Sequence, residues 1–188
     1  SIPEKKMLND LNQLNIFFLV GFPRSGTTFM ANILEKVLPD WQIVHEPFIA
    51  DYLKAVNYPE LDDHGAYFKN IRSHELFNKL QNSNYKGYGE SNPYLRLYTA
   101  QIKKCLPSAT ICYIVRDPRK VIRSVMSREI LGKKDPMKSL YVLPDNEEAF
   151  TGWQKMSRFE KICLLWKYDN GKMREDIDFQ IKLELMTE

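Results

Sequence analysis

A glycine-rich loop with a permanent cation and several hydroxyl groups is the segment best suited to chemistry. Residues 21–28 read Gly-Phe-Pro-Arg-Ser-Gly-Thr-Thr. An apolar run at 16–20 precedes the loop, and apolar residues recur at helical spacing after it, which predicts a strand, a tight turn and a helix. The first N–H groups of a helix converge on one spot, where Arg24 adds positive charge. The loop therefore predicts an anion site for a phosphate or a similar group.

The two glycines of this loop have Walker A spacing, but the residue that follows them differs. Four residues separate Gly21 from Gly26, and Thr27 stands where a Walker A loop has lysine. Nucleoside triphosphatases use that lysine on the β and γ phosphates, so its absence argues against triphosphate chemistry. Two other functions stay open. One is a P-loop kinase of a nucleotide or metabolite, which a Mg²⁺ requirement would favour, and the other is a non-catalytic nucleotide- or glycan-binding module.

A second phosphate anchor is predicted after another buried strand. Residues 109–115, ATICYIV, predict a strand that ends before Arg116, and Asp117 suits the cap of the helix that Pro118 opens. Ser124 follows Arg116 by eight residues, so a cap turn and about two helical turns would return its hydroxyl to the strand end. A guanidinium and a hydroxyl suit a phosphate monoester. An Arg–Asp pair that only caps the helix is the alternative.

The two motifs together resemble those of the sulfotransferases that use 3′-phosphoadenosine 5′-phosphosulfate (PAPS) and need no metal. The resemblance covers residues 15 to about 166 and implies transfer of a sulfuryl group to a hydroxyl or amine of a carbohydrate, peptide or small-molecule acceptor. The carbohydrate and tyrosylprotein members are the most similar. The family's 5′-phosphosulfate loop corresponds to Pro23, Arg24, Ser25, Gly26, Thr27 and Thr28, and its 3′-phosphate site to Arg116 and Ser124, with Arg128 as a further candidate.

Three residues compete for the role of the base that activates the acceptor. Glu46 is the first choice, because His-Glu-Pro-Phe at 45–48 resembles the segment that supplies the catalytic Glu in Golgi-type glycan and tyrosylprotein members. His45 is the competitor, since cytosolic members use a His. Glu90 is third: GESNPY resembles an acceptor-site segment of heparan sulfate members, although Ser91 replaces its lysine. The alternative role for Glu46 is a helix cap or an ion pair. Arg24 would stabilise the departing 3′,5′-diphosphate.

The elements that must position these residues predict an α/β protein with a three-layer, P-loop-like fold and a central parallel sheet of about four or five strands. Ligands bind at the carboxyl ends of strands in such sheets, where the loop, Glu46 and Arg116 should meet. Residues 1–14 predict a lead-in helix or arm, and residues 132–146 predict a mobile loop. Further strands are predicted at 41–44 and 179–185, and further helices at 66–80, from Pro93 to 106, and at 147–170.

Composition limits the partners and the compartment. The 188 residues fit one domain, 1–188, and their 44% hydrophobic and 27% charged content is ordinary for a soluble globular protein. A net charge of +3 gives no case for nucleic-acid binding, and no apolar run approaches the roughly 20 residues of a membrane span. Three cysteines without metal-like spacing favour a cytoplasmic location, with a trimmed leader or a lumenal origin left open.

The resemblance also implies that the C-terminal part of the family fold is missing or minimal. The oligomeric state is left open.

Overall fold

The computed structural model describes residues 3–56, 66–135, 148 and 151–186. Its described strands form one sheet in the order β2-β3-β1-β4-β5, and each neighbouring pair is parallel. The predicted α/β class with a parallel sheet of four or five strands is therefore confirmed. The strands are β1 (Ile16–Gly21), β2 (Trp41–His45), β3 (Gly87–Ser91), β4 (Thr110–Val115) and β5 (Phe179–Lys182).

Helices connect these strands. The α-helices are α1 (Glu4–Asn12), α2 (Thr27–Val37), α3 (Ile49–Val56), α4 (Ser73–Leu80), α5 (Thr99–Cys105), α6 (Pro118–Met126) and α7 (Arg158–Met173). A π-helical turn, Phe68–Arg72, precedes α4. The described residues also form short 3₁₀ helices at Pro93–Leu97, Trp153–Lys155 and Leu183–Met186. A membrane-spanning helix is not found in the described parts of the chain, whose helices are too short or too polar for that.

The central strand β1 is buried on both of its faces, as the unbroken apolar run predicts. Successive side chains of a strand point to opposite faces. Phe18 belongs to the larger core, together with Leu11 of α1. Leu19 belongs to a separate cluster on the other face, together with Met30 of α2 and Cys112 of β4. Helices therefore cover the sheet from both sides, which gives the predicted three layers.

The segment 87–91 forms an internal strand of the sheet, whereas no strand is predicted there from the sequence. Gly87 and Gly89 weaken any strand signal. In the structure aromatic rings cover both glycines, and a Cβ atom on Gly89 would lie 2.2 Å from the Cζ atom of Phe17. The corresponding atom on Gly87 would lie 2.5 Å from Trp41. The neighbouring strands thus supply the packing that these glycines lack.

The predicted helix 147–170 is wrong in where it begins. Of residues 147–150 only 148 is described, and Gly152 then adopts a left-handed conformation with φ of 79°. Helix α7 begins at Arg158, because Ser157 and Glu160 form a reciprocal capping box. Phe159, in the first turn of α7, is 55% exposed. The predicted loop 132–146 lies outside the described residues from position 136 onward.

Candidate functional site

The loop between β1 and α2 folds into a tight turn that leaves the start of the helix open. The N–H of Ser25 donates to the carbonyl oxygen of Phe22 over 3.1 Å, and Ser25 is buried. Gly26 precedes α2 with φ of 104°, and no side chain caps the helix. Arg24 also has a positive φ, 73°, which is unfavourable for a residue with a side chain. The first N–H groups of α2 can therefore bind an anion.

A cavity of about 520 Å³ lies at the carboxyl edge of the sheet and gathers most of the predicted site. Three of its lining side chains are guanidinium groups, so the cavity favours a ligand with negative charge. The predicted residues that line it are Pro23, Arg24, Gly26, Thr27, Thr28, His45, Glu46, Arg116 and Arg128.

The two predicted phosphate anchors meet at Arg24. Its Nε atom donates to the Oγ atom of Ser124 over 3.1 Å. The Nη1 atom of Arg116 donates to the backbone carbonyl oxygen of Arg24, also over 3.1 Å. Arg116 and Ser124 thus both contact Arg24 of the loop. The side chain of Asp117 accepts from the N–H of Arg119, which confirms the predicted cap of α6.

Two of the candidate bases lie side by side. The Nε2 atom of His45 is 3.4 Å from the Oε1 atom of Glu46 and 3.2 Å from the hydroxyl of Thr28. Glu46 follows β2, and its N–H donates to the carbonyl oxygen of Ser91. Its φ of 46° is a strained value for a non-glycine residue, and such strain is concentrated at functional sites. The arrangement holds a partly exposed carboxylate beside an imidazole.

Glu90, the third candidate, is fully buried and is not among the residues that line the cavity. Its carboxylate accepts hydrogen bonds from Arg72, at 2.5 Å to Oε1, and from the hydroxyl of Tyr88 at 2.6 Å. Arg72 also donates to the carboxylate of Asp51 over 3.2 Å. Asn92 donates to both carboxylates. Glu90 therefore belongs to a buried ion cluster that we define as Asp51, Arg72 and Glu90.

This cluster fixes the segment that follows Glu46. The guanidinium of Arg72 lies 4.0 Å from the ring centre of Phe48, and the N–H of Asp51 donates to the carbonyl oxygen of Phe48. Burial raises the pKa of Asp51 to about 6, with Arg72 opposing that shift and Glu90 adding to it. No local pattern in the sequence reveals the cluster, because neighbouring members along the chain are 21 and 18 residues apart.

Ser91, which stands where the resembling segment has lysine, makes a structural hydrogen bond. The hydroxyl of Ser91 donates to the carbonyl oxygen of Thr27 over 2.7 Å, which ties β3 to the first turn of α2. Among the described His, Cys, Asp and Glu side chains, no three come together as a metal site would need.

Comparisons with known proteins found one matching family model, a similar sequence and a similar solved structure. A family model described as "Sulfotransferase family" matches residues 17–162. A protein of Caenorhabditis briggsae recorded as "Putative protein-tyrosine sulfotransferase" is 27% identical over 168 residues, which cover 81% of this chain and 54% of that protein. The chain thus spans about half the length of that relative. The shikimate kinase of Acinetobacter baumannii, solved in complex with shikimate, has a TM-score of 0.45 and 14% identity over 95% of this chain and 87% of that one.

Proposed function

Because the chain belongs to the sulfotransferase family, we propose that it transfers a sulfuryl group from PAPS to a hydroxyl or amine of a carbohydrate, peptide or small-molecule acceptor. The observation that carries this proposal is the cavity in which Arg24, Arg116 and Arg128 surround the uncapped start of α2. A helix N-terminus and several guanidinium groups in one cavity suit a ligand with phosphate at two positions.

The residues present fit a donor of this kind. The 5′-phosphosulfate would bind the N–H groups of the loop and the hydroxyls of Thr27 and Thr28 at the start of α2. The 3′-phosphate would bind Arg116 and Ser124, with Arg128 from the same cavity. Arg24 connects the two positions through its contacts to Ser124 and Arg116.

The chemistry requires a proton acceptor and stabilisation of negative charge. When bound, PAPS would supply an activated sulfuryl group for transfer to the acceptor oxygen, with the 3′,5′-diphosphate as the leaving group. Glu46 takes the proton of the acceptor hydroxyl. Arg24 and the N–H groups of α2 stabilise the charge on the departing phosphate.

Glu46 is the preferred base for two structural reasons. Glu46 lines the cavity, and its strained backbone is held in place by the hydrogen bond from its N–H to the carbonyl oxygen of Ser91. His45 contacts both Glu46 and Thr28, so it is placed to orient the carboxylate next to the donor site. A peptide acceptor agrees with the name of the Caenorhabditis briggsae relative, of which the chain spans about half.

Calorimetric titration with 3′-phosphoadenosine 5′-phosphate (PAP) tests the proposal. We expect binding without Mg²⁺, and tighter binding than that of ATP with Mg²⁺. Absence of PAP binding, or tighter binding of Mg²⁺–ATP, would contradict the proposal. Binding of PAP without transfer to any acceptor of a broad panel would favour a non-catalytic binding module.

A further inference from the structure

A single side chain binds the end of helix α6. Arg158, the first residue of α7, donates from its Nε atom to the carbonyl oxygen of Ile130 over 2.9 Å. Its Nη1 atom donates to the carbonyl oxygen of Met126 over 3.1 Å, and its Nη2 atom to that of Val125 over 3.2 Å. The same Nη2 atom donates to the carbonyl oxygen of Arg128. One guanidinium therefore binds four backbone carbonyl groups.

Carbonyl groups at a helix C-terminus lack partners within the helix, and the helix dipole favours a positive charge beside them. Helix α6 ends at Met126, and the chain then turns sharply. Leu131 is buried with a positive φ of 56°, and the N–H of Gly132 donates to the carbonyl oxygen of Glu129. A strained backbone of this kind persists only where neighbouring contacts hold it. Arg158 supplies such contacts between α6 and the turn.

The position of Arg158 in its own helix indicates that these contacts determine where its side chain lies. Ser157 caps α7 and forms the capping box with Glu160, so the backbone around Arg158 is fixed. The dipole of α7 disfavours a cation in the first turn of that helix. The guanidinium lies instead at the C-terminal end of α6, where a cation is favoured. Arg158 thus ties the start of α7 to the segment that follows α6.

The segment held in this way reaches the proposed donor site. Arg128 and Ile130 line the donor cavity, whereas Arg158 is not among the residues that line it. The N–H of Arg128 donates to the carbonyl oxygen of Val125 over 3.0 Å, and its own carbonyl oxygen accepts from Arg158. Because charge-assisted contacts depend on orientation, a shift of about 1 Å in this backbone would weaken any contact of the Arg128 guanidinium with a phosphate.

We propose that Arg158 is a positioning residue for the 3′-phosphate: it holds the end of α6 so that Arg128 presents its guanidinium to that phosphate. The inference rests on the proposed function, in which Arg128 contributes to the 3′-phosphate site. Arg158 itself contacts neither the donor nor the acceptor. Its loss should lower the affinity for a nucleotide with a 3′-phosphate and leave the affinity for the same nucleotide without that phosphate almost unchanged.

The test compares two nucleotides that differ only in the 3′-phosphate, namely PAP and adenosine 5′-monophosphate (AMP). Calorimetry gives both dissociation constants for the unmodified protein, Arg158→Met and Lys167→Met. Lys167 is exposed on the same helix, so its replacement removes an equal charge from α7. We expect Arg158→Met to bind PAP at least about tenfold more weakly and AMP within about twofold of the unmodified protein. Lys167→Met should bind both nucleotides like the unmodified protein.

A double-mutant cycle shows whether the effect of Arg158 passes through Arg128. In an Arg128→Ala background, Arg158→Met should change the PAP affinity by less than about twofold, because the side chain that it positions is already absent. A further loss of about tenfold in this background would overturn the inference, since Arg158 would then act by another route.

Arg158→Lys covers the case in which Arg158→Met does not fold. A lysine keeps the positive charge at the end of α6 but lacks the planar fork that binds several carbonyl groups at once. Its ratio of PAP affinity to AMP affinity should therefore fall by about threefold, a smaller loss than that of Arg158→Met. An unchanged ratio would contradict the positioning role. An equal loss of affinity for both nucleotides would also contradict it, because a purely structural role gives that result.

The unmodified protein separates this inference from the proposed function. If it binds PAP no more tightly than AMP, the 3′-phosphate site is absent, and the donor proposal and the inference fail together. If it prefers PAP and Arg158→Met keeps that preference in full, the donor site stands and the positioning role of Arg158 alone is wrong.

Discussion

The Nε atom of Arg24 lies 3.1 Å from the Oγ atom of Ser124, although one hundred residues separate them in the chain. This contact joins the loop after β1 to helix α6. Arg116 binds the carbonyl oxygen of the same Arg24 from the end of β4. One residue therefore links both proposed phosphate positions, and its loss should affect the whole donor site.

Arg24→Ala and Arg116→Ala should each weaken PAP binding by about ten- to a hundredfold. Each would remove a charge-assisted hydrogen bond worth about 1.5–3 kcal/mol, and 1.4 kcal/mol corresponds to a factor of ten. Calorimetry measures the dissociation constants. Arg123→Ala is the matched control, because Arg123 is exposed on α6. If Arg24→Ala binds PAP as tightly as this control, Arg24 does not contact the donor.

Glu46→Gln should lower kcat by about 10²- to 10⁴-fold, the usual contribution of a general base. Its PAP affinity should stay within about threefold, because the amide keeps the size of the side chain. Steady-state kinetics and calorimetry separate the two effects. Glu35→Gln, an exposed position on α2, should remain fully active. An active Glu46→Gln variant together with an inactive His45→Asn variant would assign the base to His45.

Local signals were sufficient to predict most of the phosphate-binding half of the fold. β1 and β4 are buried apolar runs, and residues of this kind favour a parallel sheet covered on both sides. The cap of α6 follows from Asp117 and Pro118 in sequence. The topology rule that brings strand ends together then placed Glu46 and Arg116 at one edge, and both line the same cavity.

Local sequence patterns could not predict the interactions between residues that are far apart in the chain. β3 contains two glycines, and it is stable because rings from β1 and β2 pack over them. Val125 of α6 and Ile162 of α7 belong to one core cluster, although a long segment separates the two helices in the chain. The start of α7 was readable in principle, since Ser157 and Glu160 have capping-box spacing, but the apolar pattern upstream suggested a longer helix.

Asp51→Asn should remove a pH dependence of stability. The pKa of Asp51 is about 6 in the folded protein and 3.8 as its ordinary value. The folded state therefore binds this proton more tightly than the unfolded state. Its stabilising effect is fully present below about pH 3.8 and is lost as the pH rises through about 6. The difference in free energy of unfolding between the original protein and Asp51→Asn should fall by roughly 3 kcal/mol across this range.

Urea unfolding between pH 3.5 and 7.5 measures this difference. The titratable groups around position 51 are the same in the original protein and in Asp51→Asn: Arg72, Glu90 and Tyr67. Their own contributions to the pH dependence of stability therefore largely cancel in the comparison. Asp10→Asn, an exposed position on α1, serves as the control and should leave the pH dependence unchanged. Parallel curves for the original protein and Asp51→Asn would show that Asp51 has an ordinary pKa.

Arg72→Met should destabilise the protein by about 3–5 kcal/mol, because it leaves the carboxylates of Asp51 and Glu90 buried without their cation. For a chain of this size, the melting temperature should fall by roughly 6–20 °C in calorimetry. Adding Asp51→Asn and Glu90→Gln removes the uncompensated charges and should recover part of that loss. A triple variant no more stable than Arg72→Met would mean that lost packing on Phe48 dominates.

Gly26→Ala tests the backbone that opens helix α2 toward the donor. Gly26 has φ of 104°, which a residue with a side chain adopts only under strain, and the added Cβ atom would lie 2.7 Å from the Cδ2 atom of Leu183. The variant should lose about 1–3 kcal/mol of stability and bind PAP at least about tenfold more weakly, because relief of the strain turns the first N–H groups of α2 away.

The control for this change is another glycine. Gly171 lies within α7, and an added Cβ atom there meets no atom within 4 Å. Gly171→Ala should therefore stabilise the protein by about 0.5–1 kcal/mol in urea unfolding and leave PAP affinity unchanged. Leu183→Ala in the Gly26→Ala background relieves the contact but not the backbone strain. If that second change restores PAP binding in full, the contact with Leu183, and not the conformation of Gly26, determines how α2 meets the donor.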